Sequence, residues 1–143
     1  MPIINDDLLE SDETFDIMLS GLSGGGSITG TNPETITIND DTDKCGISID
    51  GPYTVTEGSP ITFNVTINQL VPTGQTVTVQ YETADDTAVA SGDYGAIGLS
   101  TLTFASGEGP GDVKQINVTT NDDSLYEIQE HFTVNLSSPS ANA

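Results

Sequence analysis

Residues 61–67 read Ile-Thr-Phe-Asn-Val-Thr-Ile, with an apolar side chain at every second position. Successive side chains of an extended chain point to opposite faces, so this period places the apolar side chains on one face and the threonines and asparagine on the other. The stretch therefore predicts a half-buried β-strand whose apolar face lies against a core.

The same alternation returns along the chain in short stretches separated by Gly, Pro, Asn and Asp. Clear examples are marked by Val77, Val79 and Tyr81, by Ile116 and Val118, and by Phe132, Val134 and Leu136. Weaker examples are marked by Ile47 and Ile49, Tyr53 and Val55, Leu102 and Phe104, Phe15, Ile17 and Leu19, and Ile36 and Ile38. No stretch has a convincing helical period of 3.6 residues. Together these patterns predict an all-β fold, an antiparallel immunoglobulin-like β-sandwich.

Composition restricts the possible ligands and partners. The chain has 143 residues, with 22 Asp and Glu against 2 Lys and no Arg, and its net charge is −20. Such a charge argues against nucleic acid and against an anionic membrane surface, since both are bound through basic side chains. No apolar run approaches the roughly 18 residues of a membrane-spanning helix. With a lone Cys45 and one histidine, zinc lacks its usual ligands, whereas abundant carboxylates suit a hard cation such as calcium.

An acidic segment occurs twice. Residues 5–20 read Asn-Asp-Asp-Leu-Leu-Glu-Ser-Asp-Glu-Thr-Phe-Asp-Ile-Met-Leu-Ser, and residues 121–137 read Asn-Asp-Asp-Ser-Leu-Tyr-Glu-Ile-Gln-Glu-His-Phe-Thr-Val-Asn-Leu-Ser. In both copies an acidic loop precedes a strand with apolar residues on one face, and the second copy has one inserted residue. Because the copies lie about one sandwich domain apart, we expect the chain to begin near the end of one repeat and to stop before the end of the next.

Four motifs in this order resemble the Calx-beta repeat, a sandwich module of sodium/calcium exchanger regulatory regions and of many large extracellular or adhesion proteins. The motifs are Tyr53–Gly58, Tyr81–Ala88 with Ser91–Tyr94, Leu102–Phe104 with Ser106–Glu108, and the doubled acidic segment. The resemblance implies that residues 1–41 are the last two strands of a preceding repeat, that residues 42–46 are a linker, and that residues 47–143 are a repeat without its final strand.

The surplus N-terminal strands are equivalent to the strand that the second repeat lacks. In this family the final strand ends at the pole opposite the start of the next repeat, and a five-residue linker reaches about 17 Å at most. Completion within one chain is therefore not expected. We hypothesise that these strands complete the sandwich of another molecule by strand addition, which would give a homo-oligomer.

The resemblance also implies a calcium site at one pole of the sandwich. The family's ligands come from the glutamate of the opening strand, the middle Asp-Tyr pair, the acidic loop and the end of the last strand. The matching positions of the second copy are Glu57, Asp93, Asp122, Asp123, Glu127 and Glu130. The corresponding acids of the first copy are Asp6, Asp7, Glu10 and Glu13, and Asp40, Asp41 and Asp43 are the acidic run at the end of the last strand of that first repeat. The first loop is one residue shorter, and Gln129 stands where the first copy has Asp12.

A purely structural interpretation of these acids stays open, because acidic loops also solubilise a sandwich and discourage edge-to-edge aggregation. Asp85, Asp86 and Asp112 are ordinary turn residues on this view, and His131 is expected to point outward. Aromatic core positions are expected at Phe15, Phe63, Phe104, Phe132, Tyr81 and Tyr94. N-glycosylation acceptor patterns begin at Asn64, Asn117 and Asn135.

The leading functional hypothesis is a calcium-binding adhesion or assembly repeat, a link in a tandem array outside the cell or at its surface. Its partners would be neighbouring repeats or identical chains. The alternatives are a calcium-independent structural repeat and a calcium-sensing regulatory domain of a larger membrane protein. An enzyme is not expected, because the chain has no tryptophan to stack on a sugar, no nucleophile with a plausible base and no phosphate-binding glycine loop.

Overall fold

The computed structural model describes residues 3–4, 10–39, 44–140 and 143. Eight strands form in this part of the chain: β1 (Glu13–Ile17), β2 (Glu34–Ile38), β3 (Ile47–Ile49), β4 (Ile61–Ile67), β5 (Thr76–Asp85), β6 (Ser100–Ala105), β7 (Val113–Val118) and β8 (Phe132–Ser137). All pairings between these strands are antiparallel, and the predicted all-β class is confirmed. Among the described residues, no helix is long and apolar enough to cross a membrane.

The strands form two three-stranded sheets and one separate pair. One sheet has the order β3-β4-β7, the other β6-β5-β8, and β1 pairs with β2. In the first sheet Phe63 lies opposite Ile116, and in the second Tyr81 lies opposite Leu136. The alternating side chains of both three-stranded sheets point toward a shared interior, as expected for a sandwich.

The core contains the apolar positions that the alternation predicts. Val65 and Ile116 from one sheet and Val77 and Phe104 from the other are at most 1% exposed. Complete burial of such side chains contributes roughly 1.5–3 kcal/mol each to the hydrophobic term. Of the predicted aromatic core positions, Tyr94 and Phe104 are fully buried, Phe63, Tyr81 and Phe132 are half-buried against this cluster, and Phe15 is half-buried in the β1–β2 pair.

The prediction of a strand at Tyr53 and Val55 is wrong, because residues 51–60 form no strand. Pro52 has no N–H to donate to a sheet, which disfavours strand pairing at this point. The side chains still serve the fold, since the Tyr53 ring meets the Phe63 ring edge-on at 5.5 Å between centroids. The alternation at Leu19 also extends beyond the strand, because β1 ends at Ile17.

The β1–β2 pair lies against the β4–β5 loop of the sandwich. Gln75 donates a hydrogen bond from Nε2 to Ser11 Oγ at 2.8 Å and another to the carbonyl oxygen of Glu10 at 3.4 Å. None of the apolar side chains in the two strands is fully buried: Phe15 and Ile38 are half-buried, whereas Ile17 is 51% and Ile36 37% exposed. The pair therefore has no core of its own in the described chain.

Strand direction decides which loops share an end of the sandwich. The start of β4 lies opposite the end of β7 through Ile61 and Val118, and the end of β5 lies opposite the start of β8 through Asp85 and Phe132. The backbone N–H of Asn121 bonds the carbonyl of Asp93 at 2.9 Å and so joins the two sheets at this end. We call this end the acidic pole, formed by Glu57, Asp93, Asp122, Asp123, Glu127 and Glu130.

Candidate metal centre

Asp93 lies in a tight turn after β5. Its carboxylate oxygen Oδ2 accepts a hydrogen bond from the Val89 N–H at 2.6 Å, and its own N–H donates to the Val89 carbonyl at 3.0 Å. The next residue, Tyr94, is 1% exposed, stacks on Phe132 with 4.2 Å between ring centroids and donates its hydroxyl proton to Asp85 at 2.6 Å. The Asp93 carboxylate is thus held on a turn that the core anchors.

Asn121 attaches the acidic loop to this turn. Besides the backbone bond to Asp93, its side-chain Nδ2 donates to the carbonyls of Gly92 at 2.8 Å and Ser91 at 3.3 Å. Sequence reasoning overlooked this role, although a signal was available: an asparagine opens both copies of the repeated acidic segment, at Asn5 and Asn121.

The acidic loop, residues 121–130, ends where β8 begins. The N–H of His131 donates to Thr87 Oγ1 at 2.8 Å, and the His131 carbonyl accepts from the Ala88 N–H at 3.0 Å. These two bonds fix the backbone immediately after Glu130. The loop is therefore tied down at both ends, by Asn121 and by His131.

Three carboxylates converge at the acidic pole. Asp93, Glu127 and Glu130 each place one oxygen within 4.8 Å of the others. Calcium binds oxygens at about 2.3–2.6 Å, so two oxygens on one ion lie at most about 5 Å apart. The spacing of the three oxygens is thus close to that of ligands around a single calcium ion.

The other predicted ligands of the second copy lie at the same end of the sandwich. A side-chain carbon built on Gly58, which has φ +73°, would come within 3.0 Å of Asp122 Cβ, so Asp122 lies against the residue after Glu57. Oδ1 of Asp123 accepts the Leu125 N–H at 2.6 Å, which turns the loop back after Asp123.

The electrostatics of the pole show that these acids act on one another. Partial desolvation, followed by the charges of Asp123, Asp93, Glu130 and Glu57, raises the pKa of Glu127. Desolvation also raises the pKa of Glu130, with further contributions from the charge of Asp93, a hydrogen bond with it and the charge of Glu57. Both shifts have the sign expected when like charges are gathered, a state that a bound cation would relieve.

Asp85 and Asp112 accept hydrogen bonds from nearby residues and so have structural roles, as the turn interpretation predicts. Asp85 accepts hydrogen bonds from the Tyr94 hydroxyl and the Ala90 N–H, and these bonds lower its pKa, with that from Tyr94 the larger effect. Asp112 Oδ2 accepts the Gly109 N–H at 2.8 Å. Asp86 lies 3.8 Å from Nε2 of His131, and both side chains are more than half exposed. His131 points outward, as expected.

The first copy of the acidic segment is only partly described. Glu10 and Glu13 line a shallow groove against the β4–β5 loop, at the end of the sandwich opposite the acidic pole, and so do not join Asp93, Glu127 and Glu130. The predicted ligands Asp6, Asp7, Asp40, Asp41 and Asp43 lie outside the described residues.

A two-layer β fold with clustered carboxylates at one end defines a class of cation-binding sandwich domains. The Calx-beta domain model matches residues 1–42 and 40–143, and the chain belongs to the Calx-beta family. The predicted family is thereby confirmed.

Two solved structures are similar to this chain. A crystal structure of CBD12 from CALX1.2 is 29% identical, has a TM-score of 0.51, and the match covers 95% of this chain and 51% of that one. A crystal structure of the apo-form Calx CBD1 domain is also 29% identical, has a TM-score of 0.48, and the match covers 57% of this chain and 66% of that one. The chain thus spans about half the length of the CALX1.2 structure. No curated protein matches the chain.

Membership in the family has a consequence for the cofactor. The Calx-beta family includes calcium-binding regulatory domains of exchangers. Calcium is thus the cofactor of the family, in agreement with the carboxylate chemistry of the acidic pole.

Proposed function

We propose that the acidic pole of this chain binds calcium and that the chain is a calcium-responsive Calx-beta module. The observation that supports this most directly is the convergence of Asp93, Glu127 and Glu130 within 4.8 Å. All of their ligand atoms are carboxylate oxygens, which calcium prefers. Glu57 and Asp123, whose charges help to raise the pKa of Glu127, supply further carboxylates near the trio.

Calcium would act on the protein through the acidic loop. Without a cation, Glu127 and Glu130 repel their acidic neighbours, which opposes close packing of the loop on the Asp93 turn. A bound ion removes this repulsion and holds the loop to the turn. Because Glu130 lies two residues before Phe132, which stacks on Tyr94, a rigid pole also steadies the entry of β8 into the core.

Calorimetric titration with calcium, performed on chelator-treated protein, tests this proposal. Glu130→Gln should weaken binding at least tenfold, because it replaces one charged ligand. The matched control is Glu82→Gln, which makes the same change on an exposed residue in the middle of β5 and should leave the affinity unchanged. Absence of binding at millimolar calcium, or equal affinities of wild type and Glu130→Gln, would refute the proposal.

We further propose that the module works as a link in an extracellular or cell-surface array and self-associates through its N-terminal strands. The exposed β1–β2 pair, joined to the sandwich through Gln75 and Ser11, supports a role in contacts between repeats or between chains. The measured affinity discriminates this role from that of a sensor: extracellular modules bind calcium at about 10⁻⁴–10⁻³ M, whereas sensors bind at about 10⁻⁷–10⁻⁵ M. A micromolar constant would favour the regulatory-domain alternative.

A further inference from the structure

β7 has an edge without a partner strand. Among the residues that the structure describes, β7 pairs only with β4 and is the last strand of its sheet. The Asn64 carbonyl of β4 accepts the Asp50 N–H at 3.0 Å, on the β3 side. Because the backbone groups of an antiparallel strand alternate between its two edges, the residues on either side of Asn64 face β7. The backbone groups of β7 that face away from β4 therefore belong to Val113, Gln115 and Asn117.

This edge accepts backbone hydrogen bonds where a segment is brought to it. Just beyond β7, the Thr119 carbonyl accepts the Gly95 N–H at 2.9 Å, and Tyr94 and Thr120 form an antiparallel bridge. Along residues 113–117, in contrast, no segment of the described chain pairs with the edge. The side chains near these residues show what distinguishes this part of the edge.

Lys114 is a charged residue on the core side of β7. It lies opposite Val65, which is fully buried, and residues directly opposite in an antiparallel pair share a face of the sheet. Its ammonium lies 5.7 Å from the centre of the Phe104 ring, which belongs to the other sheet, and 2.5 Å from Oε1 of Glu108. The Lys114 side chain is 32% exposed, so it lies at the open margin between the two sheets.

Glu108 joins Lys114 to the edge of β6. Its other carboxylate oxygen, Oε2, accepts the Ala105 N–H at 2.6 Å, and its own N–H donates to the Ala105 carbonyl at 3.0 Å. The hydrogen bond from Lys114, followed by that from Ala105, lowers the pKa of Glu108, so its carboxylate is charged at neutral pH. The ion pair therefore connects the last residue of β6 to β7 across the margin of the sandwich.

A strand added along residues 113–117 would enclose the Lys114 ammonium. Natural sheets use inward-pointing charges on edge strands to avoid edge-to-edge pairing, because a charge that loses its water costs free energy. Lys114 has the position and the charge of such a guard.

The strand that such a guard has to exclude first is β7 of a second copy. Residues 113–121 contain no Asp or Glu in a chain with a net charge of −20, so two β7 strands bring no negative charge of their own into contact. Antiparallel pairing about a two-fold axis at Gln115 matches every open residue, because Gln115 meets its own equivalent and Val113 meets Asn117.

We infer that Lys114, held in place by Glu108, keeps the β7 edge from pairing with β7 of a second copy, and that removal of the Lys114 charge opens an antiparallel β7–β7 contact centred on Gln115. This inference does not depend on calcium or on association through the N-terminal strands, since it concerns a different edge.

Disulfide trapping in chelator tests the inference. Gln115→Cys places one thiol of each copy on the two-fold axis, in a hydrogen-bonded pair whose Cα atoms lie about 5.5 Å apart, where a disulfide can form. Cys45, which is 2% exposed, is replaced by alanine throughout. Covalent dimers should be at least tenfold more abundant with Lys114→Met than with Lys114 intact. Asn117→Cys is the matched control, because it lies two residues from the axis and should gain no dimer.

The variants at position 114 separate charge from side-chain size. Lys114→Met keeps an unbranched chain of similar length, whereas Lys114→Arg keeps the charge and should trap no more dimer than the original lysine. Lys114→Gln is a second charge-free variant with the same expectation as Lys114→Met, should that variant not fold, and circular dichroism checks the fold of each. Equal trapping with and without the charge, equal trapping at positions 115 and 117, or a gain in Lys114→Arg would each overturn the inference.

Discussion

Exchange of chelator for calcium should raise the thermal midpoint of this protein by about 10–20 °C when free calcium is a hundred times the dissociation constant. The carboxylates of Asp93, Glu127 and Glu130 meet only in the folded chain, so calcium binds the native state in preference to the unfolded state. At a hundredfold excess this linkage stabilises the native state by about 2.7 kcal/mol. For a sandwich of roughly 100 residues, each 1 kcal/mol moves the midpoint by about 4–8 °C.

Differential scanning calorimetry over a series of calcium concentrations provides the assay, and isothermal titration supplies the dissociation constant independently. The two must agree, because the same constant sets the binding curve and the rise of the midpoint with calcium. Asp93→Asn is the informative variant: an amide oxygen can still accept the Val89 N–H, but the charge is gone, so most of the rise should disappear. A midpoint that does not respond to millimolar calcium, or a full response in Asp93→Asn, would refute the reasoning.

Three further predictions follow from the same structure. Glu130→Gln should raise the thermal midpoint in chelator, because it removes repulsion within the acidic pole, and should lower the midpoint in calcium, because it removes a ligand. A shift of the midpoint in the same direction in both conditions would contradict this. Since the pKa values of Glu127 and Glu130 are raised, the folded state holds more protons than the unfolded state between the ordinary and the raised values. The stability that these two acids contribute in chelator is therefore present at low pH and lost as pH rises through the raised pKa values. Calcium affinity, in contrast, falls as pH is lowered through the same range, because protons compete with the ion. Thermal melting in chelator and calcium titration, both from pH 7 to about 4, measure the two pH dependences, and a calcium affinity independent of pH would count against the site. Phe104→Ala should lower the free energy of unfolding by about 3–5 kcal/mol with or without calcium, because Phe104 is fully buried; urea denaturation measures this, and a loss below about 1 kcal/mol would disagree with the packing described.

Much of the fold is predictable from local sequence. Alternation at residues 61–67 and in the other clear stretches corresponds to strands in the structure, because the side-chain period of a strand is a property of the extended backbone itself. The same reasoning fails at Tyr53 and Val55, where an alternating pattern forms no strand. Alternation indicates that a stretch can form a strand, but the strand pairs only where backbone partners are available. Here Pro52, which lacks an N–H, limits that pairing.

For the candidate site, sequence reasoning named residues but could not place them. The resemblance to Calx-beta repeats indicated Glu57, Asp93 and the acidic loop without any distance between them. The structure adds the clamp formed by Asn121, whose side chain bonds the turn that carries Asp93. Glu10 and Glu13 illustrate the converse, since they belong to an equivalent acidic segment yet lie at the opposite end of the sandwich.

By itself, the amino-acid sequence determined the strand character of the chain, its excess of negative charge, its duplicated acidic segment and its family. Each of these depends on residue type and short spacing along the chain. Only the tertiary structure decided which carboxylates share one end of the sandwich. This depends on strand pairing between residues far apart in the chain, and that pairing sets distances that no local pattern contains.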